Sequence, residues 1–151
     1  MKLYKALKLK KKLVGEVSKI KEIIRDKNSF IIGSNNERID LAKTYSDLQN
    51  KINELLTLKF VINEANREIQ SKIYELSELK GLIVFWQSVS VVEGKQQFGY
   101  GMNQSLTEFN VHFNEEKREE IINLFQVKID AIQEDIDVYN YTTEILLEGQ
   151  N

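Results

Sequence analysis

The sequence predicts a mainly α-helical protein: an antiparallel helical bundle of about four helices, the longer ones paired as coiled coils, with a short β-hairpin or loop before the last helix. Three observations predict it. The 151 residues contain no proline, so the strongest helix breaker is missing throughout. Apolar residues recur at steps of three and four over four long stretches, the spacing of one helix face. The one segment that departs from this spacing holds the glycines at 94, 99 and 101 beside alternating apolar and polar residues, the mark of strands and turns. The length fits one domain, taken as residues 1–151, with helices over about 2–25, 37–65, 71–88 and 115–139 and the hairpin or loop over about 89–113.

In the first helix, steps of three and four pick out Leu3, Ala6, Lys10, Leu13, Val17, Ile20 and Ile24, with Leu7, Leu9, Val14 and Ile23 widening the face. Lys10 is the polar intruder, and its long stem lets it snorkel out. Gly15 weakens this helix by about 1 kcal/mol relative to Ala. Between Asp26 and Asn36, the apolar Phe30, Ile31 and Ile32 precede Gly33, Ser34 and Asn35, and this patch is expected to fold back over the end of a helix pair. The second helix starts near Asn36 or Glu37 and runs to about Ala65, and its apolar seam reads Leu41, Tyr45, Leu48, Ile52 and Leu55, is interrupted at Lys59, then resumes at Ile62.

Ser71 is a candidate cap for the third helix, which presents Ile73, Leu76, Leu79, Ile83 and Trp86. Beyond it, Val89, Val91 and Val92 favour strand, and Phe109, Val111 and Phe113 alternate with Asn110 and His112. The pairing predicted is roughly Val89–Gln97 with Leu106–Phe113. Asn114, followed by Glu115 and Glu116, marks the start of the fourth helix, where acids complement the helix dipole. That helix carries Ile122, Phe125, Ile129, Ile132, Ile136 and Tyr139, and runs to about Tyr139 or onward to Leu147.

Charge is divided along the chain. Residues 1–27 hold ten Lys/Arg against three acids, and residues 115–148 hold ten acids against three bases, so the formal net charge is only −2. Opposite charges on two long helices predict mutual attraction, within a molecule or between copies. The absence of cysteine removes disulfides, thiol nucleophiles and Cys-based zinc sites. A cytoplasmic, soluble protein is expected: the N-terminus lacks a signal-peptide apolar run, and Leu82–Val92 is shorter than a membrane span and interrupted by polar residues.

The chain also carries a set of short motifs: Met1-Lys2-Leu3 with Ala6-Leu7, then Ile62-Asn63-Glu64-Ala65-Asn66, the helix Ser71–Leu82, and Asp130–Ile136 followed by Tyr139-Asn140-Tyr141-Thr142-Thr143-Glu144. On these it resembles the septicolysin-like family of uncharacterised bacterial helical proteins. Ala65 stands where that family usually has Thr, and Tyr141 where it usually has Trp. Its basic, serine-containing stretch before the last helix is replaced here by residues 103–108, almost without positive charge. The resemblance implies a mostly helical bacterial protein with no established activity. The family name implies a cytolysin, but no residue here points to pore formation.

Candidate chemistry is sparse. His112 is the one histidine, set in an expected strand, with no serine, cysteine or acid locked to it by a recognisable motif. Glu115, Glu116, Glu119 and Glu120 occupy adjacent helical positions, but a carboxylate-bridged metal bundle needs a Glu-x-x-His signature that is missing, so a solvated acidic face is expected. Gly99-Tyr100-Gly101 lacks the context of a nucleotide loop. Phe85 and Trp86 read as core or interface anchors. No catalytic, cofactor or metal residue is therefore expected.

The expected role is that of a non-enzymatic, self-associating structural or interaction protein, because long seams on few helices leave apolar surface for a homo-oligomer to cover. The expected interface is Leu3, Leu7, Leu13, Val17 and Ile20 against Phe125, Ile129, Ile132 and Ile136. Asn63, Asn66 and Arg67, with Asn140, Tyr141, Thr142 and Thr143, read first as helix-end caps and second as a shared surface. The alternative role is a peripheral membrane-active protein led by its basic N-terminal helix. Nucleic acid is disfavoured, since no recognition motif accompanies the lysines.

Overall fold

The absence of proline and the sustained apolar spacing yield four helices among the described residues, and the chain is mainly α-helical. The computed structural model describes residues 1–147. In order, the elements are α1 (Leu3–Lys27), α2 (Leu41–Asn66), α3 (Gln70–Ser88), β1 (Gly94–Phe98), β2 (Ser105–Phe109) and α4 (Glu115–Thr142), with short 3-10 turns at Asn35–Arg38 and Gly101–Asn103. The contacts fall into two compact units. Met1–Ile69 with the chain from Val138 onward forms one, and Gln70–Asp137 the other.

In the first unit, α1 packs against α2, and the core joins Leu3, Ala6, Leu13 and Val17 to Leu48, Leu55, Leu58, Ile62 and Ile145. The second helix begins later than its sequence pattern implies. Asp40 caps it, its carboxylate accepting from the Lys43 N–H at 2.9 Å, while Asn35–Arg38 makes a separate turn. The break expected at Lys59 disappears because the buried stripe runs 55, 58, 62, with Leu58 taking the inward position, whereas Tyr45 is exposed. After α4 the chain is extended and bridges to its own beginning. Leu3 N–H donates to the Thr143 carbonyl at 2.9 Å, Ile145 N–H to the Met1 carbonyl at 2.8 Å, and Lys2 pairs with Glu144 at 3.0 Å.

The loop between α1 and α2 does not fold back as expected. Gly33, at φ 81°, permits a turn closed by the Ser34 N–H on the Ile31 carbonyl, and the Glu37 carboxylate holds the Gly33 N–H at 2.8 Å. This bracing turns the apolar residues outward: Ile31 is 81% and Ile32 89% exposed. The turn's backbone hydrogen bonds form without them, so burial would need a partner that the helix pair does not supply.

In the second unit, α3 starts at Gln70, which places Ser71 inside the helix rather than at its cap. The hairpin is present but short, pairing Gly94–Phe98 with Ser105–Phe109 antiparallel, Gly94 opposite Phe109. Val89, Val91, Val92 and Val111–Phe113, expected in strands, lie outside the ladder. Near them, Trp86 meets Phe113 edge-on at 5.2 Å between centroids, and the Arg118 guanidinium donates to the Val89 backbone carbonyl at 3.2 Å. Asn114 caps α4 as expected, accepting from the Lys117 N–H at 2.9 Å. The helix absorbs Asn140, Tyr141 and Thr142 and stops there.

Candidate functional site

His112 lies in a bend, exposed, at the edge of an open cleft of about 450 Å³ lined also by Glu93, Val111, Asn114, Glu116, Lys117 and Glu120. An adjoining recess of about 320 Å³ is lined by Val89, Val92, Phe109 and Phe113 among others. Lys117 is engaged with Glu120 at 2.7 Å, and that hydrogen bond holds its ammonium above the usual lysine range. Among the described residues no hydrogen bond orients the imidazole, and no group of three or more His, Asp or Glu is disposed to hold a metal ion. The acidic run around it is a solvated face: Glu115 and Glu119 pair with Arg118, at 3.9 and 3.5 Å.

The residues expected at an interface between copies are placed differently. Leu3, Leu13 and Val17 are buried in the first unit's own core, with Leu7 and Ile20 packed at its margin. Ile129, Ile132 and Ile136 are buried in the second unit, and Phe125 is half-buried. Leu3, Leu13, Val17, Ile129, Ile132 and Ile136 are thus covered within their own units, while Leu7, Ile20 and Phe125 stay partly accessible. An apolar seam looks the same in sequence whether a segment of its own chain or another molecule covers it. The outward side of α1 is lysine-rich, with Val14 and Ile23 also exposed on it.

The polar stretches near Asn63 and Asn140 serve the first unit's closure. Tyr139 ties α4 to the end of α2, donating to the Ala65 carbonyl at 2.6 Å. Arg67 pairs with Glu64 at 3.1 Å. Tyr141 stacks at a tilt on Tyr4, 4.6 Å between centroids, while the Thr142 carbonyl accepts from the Lys2 ammonium at 3.0 Å and Thr143 from the Leu3 amide. Asn63, Arg67, Tyr141 and Thr142 remain exposed, and Asn66, Asn140 and Thr143 are half-buried.

The exposed apolar surface was only partly legible. Besides Ile31 and Ile32, the second unit exposes Tyr74, Leu82, Val84 and Phe85 on α3, Leu124 and Val127 on α4, and Tyr100, Met102 and Leu106 around the hairpin. The signal for α3 was its near-continuous apolar end, Leu82–Trp86, which one helix face cannot bury. The hairpin strands, Gly94–Phe98 and Ser105–Phe109, are mostly polar and carried no such signal.

No protein-family model, curated protein or solved structure matches this chain.

Proposed function

We propose that this protein is a non-enzymatic interaction protein that works by self-association, assembling copies of its helical units. The observation that supports the reading is the balance of apolar side chains in the second unit. Only Leu79, Ile129, Ile132 and Ile136 are buried there among the described residues, against the longer set of exposed apolar residues on α3, α4 and the hairpin. A unit that leaves about half of its large apolar side chains exposed gains stability by covering them, and a second copy offers the same surface at the same concentration. A cytoplasmic setting belongs to this reading, in which cysteine is not needed to hold the units together. Size-exclusion chromatography with light scattering, at low and high salt, tests it. A mass that is a multiple of 17.6 kDa is expected, and a compact monomer at every concentration overturns the proposal.

A second reading, peripheral membrane binding, is favoured by one feature: the braced, outward-pointing Phe30-Ile31-Ile32 tip, the size of an interfacial anchor. No helix among the described residues is long and apolar enough to cross a membrane. Flotation with phosphatidylserine vesicles tests it, with Ile31→Ser/Ile32→Ser expected to abolish binding. Binding that survives this change overturns it.

A further inference from the structure

Once the apolar side of α1 is committed to the core, its outer side is what a partner meets. Lys5, Lys8, Lys12, Gly15 and Lys19 follow one another at steps of three and four, all exposed, with no acid in the stripe. Lys5, Lys8 and Lys19 make no ion pair among the described residues, and Lys12 reaches Glu16 only at 3.7 Å. The outer side of α4 carries the inverse pattern. Glu116, Glu120, Asn123, Val127, Asp130 and Glu134 follow at the same steps, all exposed, with no base in the stripe. Glu116 and Glu134 are likewise unpaired among the described residues. At 1.5 Å per residue the stripes are about 21 and 27 Å long, so either can run alongside the other.

The middle of each stripe is uncharged. A side chain at Gly15 would meet nothing within 4 Å, so its smallness serves no contact inside the chain, although glycine in mid-helix is unfavourable. Val127 projects from the centre of the acidic stripe, 69% exposed.

We propose that α1 and α4 of two copies dock through these stripes, lysines against carboxylates, with Val127 of one copy seated at Gly15 of the other. The inference rests on the self-association reading and adds a charged contact that selects the partner to the apolar surface that reading would cover. If each copy offers both stripes to its partner, the contact is made twice and closes a two-fold dimer. The charges select the partner and its orientation and make the association sensitive to salt, while apolar contact at the centre excludes water.

Charge exchange tests the pairing. Lys8→Glu/Lys12→Glu/Lys19→Glu and Glu120→Lys/Asp130→Lys/Glu134→Lys, each checked for helix content by circular dichroism, are expected to self-associate at least about tenfold more weakly than the wild type. An equimolar mixture of the two is expected to recover association, because the reversed lysine stripe of one then faces the reversed acidic stripe of the other. In the wild-type protein, mixed 14N and 15N copies treated with a carbodiimide are expected to give cross-links between these lysines and these carboxylates that carry both labels. A wild-type oligomer indifferent to both exchanges, or labelled cross-links confined to other residues, overturns the pairing and leaves self-association standing. A wild-type monomer removes both.

Discussion

The phenolic oxygen of Tyr139 stands 2.6 Å from the Ala65 carbonyl oxygen, 74 residues away in the chain, and donates its proton to it. That carbonyl belongs to the last turn of α2, where helix geometry leaves acceptors without an intrahelical partner. The Glu68 carboxylate lies at 3.5 Å from the same hydroxyl. One tyrosine thus satisfies a helix end and fastens the returning chain to the first unit. Tyr139→Phe keeps the ring and removes the donor, and a loss of about 1 kcal/mol is expected in urea unfolding. An unchanged midpoint and slope would show the hydroxyl to be dispensable.

Leu3 is 0% exposed and sits where α1, α2 and the extended tail converge. Leu3→Ala is expected to cost about 2–5 kcal/mol, the range for a buried leucine whose surroundings relax only in part. Leu7, at the margin of the same core, is expected to cost less when replaced by Ala. Equal losses at the two positions would contradict the burial described.

Glu16 and Lys51 join α1 to α2 at 3.2 Å, and Lys51 also reaches Glu54 at 3.0 Å. The Lys51 hydrogen bond holds the Glu16 carboxyl below its ordinary range against the opposing effect of burial, aided by the charges of Lys51 and Lys12. Hydrogen bonds from Lys51 to Glu54 and then to Glu16 hold the ammonium above its ordinary range. A depressed carboxyl stabilises the fold above its unfolded value and loses that contribution as pH falls through the folded one. A raised ammonium stabilises below its unfolded value and loses the contribution as pH rises through the folded one. The thermal advantage of wild type over Glu16→Gln is therefore expected to hold near neutrality, to fade as pH falls below 4.5, and to fade again above 10.5. An advantage independent of pH would contradict the pairing.

Asp40 and Asn114 each cap a helix by accepting from the backbone three residues on. Replacing either with Ala is expected to cost about 1 kcal/mol in thermal or urea unfolding, while Ser in the same place retains most of the stability. A Ser variant as unstable as the Ala variant would assign the loss to something other than the cap.

Legibility differed between these two caps for a local reason. Asn114 stands before two acids and an apolar repeat, whereas Asp40 follows a polar 3-10 turn whose composition resembles the start of a helix. The hairpin's strands were anticipated, but their ends were not, because β-branched residues favour extended backbone whether or not a partner strand reaches them, and the ladder begins only at Gly94. Of the surfaces, the lysine side of α1 was plain in the sequence. The outward turn of Ile31 and Ile32 was not, since nothing in three adjacent apolar residues says which way a braced loop will point them.

The sequence by itself determined that the chain is helical, where its helices run to within a few residues, and which face of each is apolar, because these depend on spacing along a single segment. Only the tertiary structure decided what covers each face. Leu3, Leu13, Val17, Ile129, Ile132 and Ile136 could have met another copy, but they are buried inside the chain's own units. That choice depends on contacts between residues far apart in the chain, and it leaves the charged outer stripes of α1 and α4, with the uncovered side chains of α3, facing outward.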